Sequence, residues 1–239
     1  MNSSEVAIML LQFLQQRESM SPLDLLFMML AYAVVLLLCL PVHEFAHGLV
    51  AHWCGDDTAK WHGRLTLNPF KHLDTMGTIL ILVAGFGYAK PVPVNSRNFR
   101  HYKRDMILVA LAGPASNFLM ATIAMVVYRL TPLFAGSHFG VYLLVCFLLE
   151  IIISVNITLM VFNLLPIPPL DGSRLWSSLL PGRWAYALEQ YSRYITMGLM
   201  VLIFVGALDL PLYWMRSGVY TVLNLLTGWI SYLVSFLAA

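Results

Sequence analysis

Residues 33–47 read Ala33-Val34-Val35-Leu36-Leu37-Leu38-Cys39-Leu40-Pro41-Val42-His43-Glu44-Phe45-Ala46-His47, an apolar run that flows straight into two histidines four positions apart with a glutamate between them. The run belongs to a longer apolar stretch, about Leu25 to Trp53, enough to cross a bilayer core that takes about 20 residues. Composition points the same way: 59% of the 239 residues are hydrophobic and 11% are charged. So few charged side chains cannot cover a water-soluble globule of this size, and a polytopic membrane protein follows. A net charge of +2 with no single basic stripe argues against a nucleic-acid partner. Cys39, Cys54 and Cys146 show no paired spacing, which excludes a disulfide framework and a cysteine zinc site.

Further apolar runs at Met106 to Tyr128, Phe139 to Leu165, Ile195 to Trp214 and Val219 to Leu237 bring the expected total to about five transmembrane helices in an all-α fold. Val6 to Leu14 is too short to span and reads as an interfacial helix. No repeat or polar linker divides the chain. Residues 1–239 therefore read as one membrane-embedded domain, with a core over about 25–183 and a C-terminal helix pair over about 190–239.

One run resists this scheme. Met76 to Tyr88 is apolar but short, closes on Gly85-Phe86-Gly87, and leads into Pro91-Val92-Pro93. If it enters and leaves on one face, 11 basic residues (Lys60, Arg64, Lys71, Lys90, Arg97, Arg100, Lys103, Arg104, Arg174, Arg183, Arg193) share a side against three (Arg17, Arg129, Arg216). A full crossing gives nine against five. The positive-inside rule favours the re-entrant loop and places the larger group in the cytoplasm. Irregular backbone at membrane depth is tolerated beside a wet cavity, so the loop itself hints at a water-accessible site.

His43 and His47 stand one helical turn apart on one face, so both imidazoles can reach a single Zn2+ while Glu44 sits beside the open coordination position. The metal would lower the pKa of a water to about 7, and the carboxylate would take its proton. Charged groups inside a membrane helix are costly and functional by default, which favours a site over a structural cluster. A catalytic zinc normally takes three protein ligands. Asp171, in Asn163-Leu164-Leu165-Pro166-Ile167-Pro168-Pro169-Leu170-Asp171-Gly172, is the best candidate for the third, since the re-entrant topology returns it to the same face. The competing reading of Asp171 is a helix N-cap.

His43-Glu44-Phe45-Ala46-His47 combined with Pro168-Pro169-Leu170-Asp171-Gly172, and with Gly113-Pro114-Ala115-Ser116-Asn117 between them, resembles the site-2 protease family of intramembrane zinc metalloproteases. The resemblance covers about Leu25 to Arg183 and implies one zinc per chain held by His43, His47 and Asp171, with Glu44 as the general base. It implies transmembrane protein substrates in the bilayer, engaged after local unwinding by Asn163 and the neighbouring Pro166 and Pro168. The Met76 to Val94 run, with Gly85 and Gly87, looks like the family's re-entrant β-loop, which pairs with substrate as an added strand, while its Leu and Ile without clear alternation also suit a short helix. No segment suits a PDZ or CBS module, so the chain resembles the minimal prokaryotic branch, in the cytoplasmic membrane.

The remaining polar residues read as follows. Asn117 is either interhelical glue or a donor to the tetrahedral oxyanion. His52 is turned from the zinc face, and His62, His72, His101 and His138 read as solvated loop residues. Glu150 and Asn156 should face the bundle interior. Two rivals to a protease stand: an ion or solute transporter using the His/Asp cluster, and a scaffold with structural zinc. A transporter has no need of Glu44, and a structural site would show a fourth ligand.

Overall fold

The computed structural model describes residues 22–84, 90–134 and 139–237. Every regular element among them is helical. Helix α1 (Pro22–Val34) runs through a π-helical turn (Val35–Cys39) into α2 (Leu40–Trp53). The wide turn has a cause in the sequence: Pro41 lacks an N–H and its ring crowds the carbonyl four residues back, that of Leu37. The helix absorbs the extra volume by bonding Leu40 N–H to Val35 O, five residues back. A short helix α3 (Thr58–Trp61) follows, then α4 (Thr75–Ala84).

Helix α5 (Tyr102–Leu130, 29 residues) is the central post, packed against α2, α6 (Phe139–Asn163), α7 (Asp171–Leu179) and α10 (Asp209–Leu237). Small residues let it do so. Ala121 and Ala124 join Met125, Ile153, Ile157, Val161 and Leu223 in the buried core, the close packing that association in lipid requires. A short amphipathic helix, α8 (Gly182–Gln190), and a short apolar one, α9 (Ser192–Phe204), link α7 to α10.

Among the described residues four helices are long and apolar enough to cross a membrane: Met29–Trp53, Tyr102–Phe134, Gly140–Asn163 and Asp209–Leu237. The all-helical polytopic fold expected from sequence is therefore present, but its C-terminal segmentation differs. Ile195 to Trp214 is not one helix. The chain breaks at Gly206, whose φ of +70° is a conformation that favours glycine. The 13 residues of α9 reach only about 20 Å at 1.5 Å per residue. Sequence hydropathy merges the two sides of this break because the turn residues Val205, Ala207 and Leu208 are themselves apolar.

Of the run Met76 to Val94, residues 76–84 lie in α4 and residues 90–94 form an irregular segment. Residues 85–89, which include Gly85 and Gly87, lie outside the described residues, as does the expected interfacial helix over Val6 to Leu14.

Candidate metal centre

His43, Glu44 and His47 occupy consecutive turns of α2, and Asp171 opens α7, which like α2 packs against α5. Three ligand-type atoms converge. His43 Nε2 and His47 Nε2 are 3.1 Å apart, and Asp171 Oδ2 lies 3.2 Å from the first and 3.1 Å from the second. A tetrahedral zinc with bonds of about 2.0–2.1 Å places its ligand atoms about 3.3–3.4 Å apart, so this donor set fits such a metal. The chemistry fits as well: two imidazoles and one carboxylate, drawn from positions 124 residues apart, form the cluster able to hold an ion among the described residues.

The second nitrogen of each imidazole is held. His47 Nδ1 lies 2.7 Å from Val109 O, so it carries the proton and leaves Nε2 free to ligate. His43 Nδ1 lies 3.0 Å from the amide of Asn117, a residue with no solvent exposure. Asn117 Oδ1 is buried without a partner. A half-turn of the amide, which leaves its shape unchanged, sets Oδ1 on His43 Nδ1–H and satisfies both groups.

Two glycines make room for this arrangement. A Cβ on Gly113 of α5 would fall 2.3 Å from His47 Nε2 and 2.4 Å from His43 Cε1. A Cβ on Gly172 would fall 2.2 Å from Leu165 O and 2.5 Å from Leu164 O, so the backbone after Asp171 packs directly on the end of α6. Asp171 is thereby fixed. Burial opposes its charge, but His43 and His47 outweigh burial and hold the carboxyl well below the usual carboxylate range. The N-cap position of α7 belongs to Leu170, so capping is not the role of Asp171.

Glu44 lies beside the cluster, and its Oε2 accepts a hydrogen bond from Val92 N–H at 2.8 Å. Asn163 ends α6 and donates its side-chain amide to Leu159 O; Pro168 O accepts from Thr196 Oγ1; Pro166 is exposed. None of these three belongs to the convergent cluster.

Several residues escaped the sequence reading. Asp56 is fully buried and collects donors from Thr58 N, Thr58 Oγ1, Asn95 N and Asn98 Nδ2, tying the loop after α2 to the segment after Val94. The Asp56-Asp57-Thr58 turn pattern was its only signal. Arg64 is buried against the carbonyls of Lys90 and Pro91, and no sequence pattern announces it. His72 corrects an expectation: it has no solvent exposure and its Nε2 bonds Thr66 O, whereas His62 and His101 are exposed as expected. His138 lies outside the described residues. Asn156 is buried and bonds Cys39 Sγ and Ile152 O, whereas Glu150 is exposed and accepts from Tyr128 OH.

Comparison with known proteins agrees with this geometry. The profile of Peptidase family M50 matches residues 31–142 and 141–206. "Putative zinc metalloprotease YwhC" of Bacillus subtilis (strain 168) is 41% identical over 203 residues, covering 82% of this chain and 90% of that one. "Putative zinc metalloprotease Rip2" of Mycolicibacterium smegmatis is 30% identical over 204 residues, covering 83% of this chain and 74% of that one. No solved structure gives a significant match. On the span of the profile and the extent of these identities, the chain is an integral membrane protein and belongs to peptidase family M50.

Proposed function

We propose that the chain is an intramembrane zinc metallopeptidase that hydrolyses peptide bonds within or near the transmembrane helices of other membrane proteins. The observation that carries this reading is the convergence of His43 Nε2, His47 Nε2 and Asp171 Oδ2 beside Glu44, with the histidines and the glutamate on a helix long and apolar enough to cross a bilayer. His43, His47 and Asp171 would hold the metal, and three protein ligands leave a place open. Zinc, when bound, supplies a Lewis acid and lowers the pKa of a water molecule to about 7. Glu44 would serve as the general acid–base, accepting a proton from the attacking water and passing it to the departing amine. Asn117 and the Val109 carbonyl orient the two imidazoles, and Gly113 lets them approach α5.

An intact helix hides its carbonyls in its own hydrogen bonds, so a substrate must unwind locally before attack. Asn163, Pro166 and Pro168, on the turn that leads to Asp171, and Gly85 and Gly87 in the preceding loop, are proposed to engage the unwound stretch. The chain works as a single membrane domain in the cytoplasmic membrane of a prokaryote, with the loops around Lys60 to Arg104 and Arg174 to Arg193 on the cytoplasmic face. Nothing observed favours a transporter.

Metal analysis of purified protein beside a cleavage assay of wild type and Glu44→Gln on a panel of single-span membrane proteins tests the proposal. One equivalent of zinc in both, with cleavage in the wild type alone, is expected. Cleavage that survives Glu44→Gln would remove the base from the mechanism.

A further inference from the structure

The segment Lys90 to Asn95 passes directly over Glu44, and its backbone is already committed. Of its four N–H donors three are spent inside the protein: Lys90 N–H on His72 O at 2.9 Å, Val92 N–H on Glu44 Oε2 at 2.8 Å, and Asn95 N–H on Asp56 Oδ2 at 2.7 Å. Pro91 and Pro93 have none to give.

What the segment does follows from its anchors. Arg64 Nη2 grips the carbonyls of Lys90 and Pro91, and Asp56, itself without solvent exposure, grips Asn95 N and Asn98 Nδ2. Between these two clamps Val92 is buried against the backbone of Gly48, where its Cγ1 would stand 3.2 Å from an added Cβ. The segment is thus fixed at both ends and in the middle, and the N–H of Val92 meets one oxygen of Glu44. Glu44 Oε1 accepts no hydrogen bond among the described residues and is left for the reacting water.

We propose that Lys90–Asn95 is a strap, clamped by Arg64 and Asp56, whose Val92 N–H positions the Glu44 carboxylate. The proposal rests on Glu44 being the general base. Val92, Arg64 and Asp56 are positioning residues that act through that carboxylate. Removing a hydrogen bond that orients a reacting group at a metal site typically costs about 10–100-fold. The loss should fall on kcat, since the carboxylate that Val92 N–H holds acts in the chemical step.

The test uses full-length protein in detergent micelles and a single-span substrate that the wild type cleaves, so the wild-type rate reports separately on the peptidase reading. Three variants are compared for kcat, KM and bound zinc: Val92→Pro; the amide-to-ester replacement at Val92, which deletes the N–H and keeps the side chain; and Arg64→Ala. The strap account expects Val92→Pro and the ester to lose about 10–100-fold in kcat with zinc and KM within about twofold, and Arg64→Ala to fall with them. The ester decides the matter even where Val92→Pro does not fold. Wild-type kcat in the ester overturns the proposal, as does a rise in KM at constant kcat, which returns the strap to substrate binding.

Discussion

Gly113 on the central helix lies so close to His47 that a Cβ there would stand 2.3 Å from the Nε2 atom of the imidazole. The glycine sits in mid-helix, where alanine would favour the helix by about 1 kcal/mol, so its presence is explained by the site and not by the helix. Gly113→Ala should therefore leave a folded helix bundle that has lost most of its zinc and at least about 100-fold of its peptidase activity, because both ligand rings must move. Zinc per protein and cleavage rate measure this together. Full zinc occupancy in Gly113→Ala would mean that α2 and α5 can separate at no cost to the site.

Asn117 should behave as the support of His43. Asn117→Ala removes the group facing His43 Nδ1, and zinc affinity should fall about 10–100-fold while the fold persists. Asn117→Asp, which restores an acceptor for Nδ1–H, should recover much of the affinity. A chelator titration that finds all three proteins equal would assign Asn117 to helix packing instead.

The residues proposed to carry the chemistry are legible in sequence because their spacing is local: His43, Glu44 and His47 lie within two turns of one helix, and apolar run lengths announce most of the spanning helices. Asp171 was legible only through topology, since 124 residues separate it from His47. What escaped was set by long-range packing. The grip of Arg64 on Lys90 and Pro91, the burial of Asp56 and His72, and the contact of Val92 with Glu44 all join segments that no periodicity relates. The C-terminal break escaped for another reason: an apolar turn around Gly206 looks like helix to any hydropathy window.

Asp56 gives the strap a pH dependence. Burial alone would raise its carboxyl, but the donors on Thr58, Asn98 and Asn95 outweigh burial and hold it below the usual carboxylate range. A folded-state pKa below the unfolded value, about 3.9, stabilises the protein above that pH, and the contribution is lost as pH falls through the folded value. Thermal stability in detergent should thus fall below about pH 4 in wild type, and Asp56→Asn should lose stability at neutral pH and show a weaker acid-dependent fall. Identical pH profiles would show that the latch carries no charge-dependent stability.

Arg129 holds the last helix. Its guanidinium donates to Thr227 Oγ1 at 2.9 Å, Ser231 Oγ at 2.6 Å and Asn224 Oδ1 at 2.6 Å, all on α10. Arg129→Ala should destabilise the bundle by about 2–4 kcal/mol and expose α10 to protease, with zinc content unchanged. Loss of zinc in that variant would show that the metal centre depends on a helix that does not touch it.

The most direct measurement of the central claim is zinc content in His43→Ala, His47→Ala, Asp171→Ala and Glu44→Gln, each beside its cleavage rate. The account predicts that the first three lose both zinc and cleavage, whereas Glu44→Gln keeps one equivalent of zinc and loses cleavage. One equivalent of zinc retained in Asp171→Ala, or cleavage retained in Glu44→Gln, would contradict it.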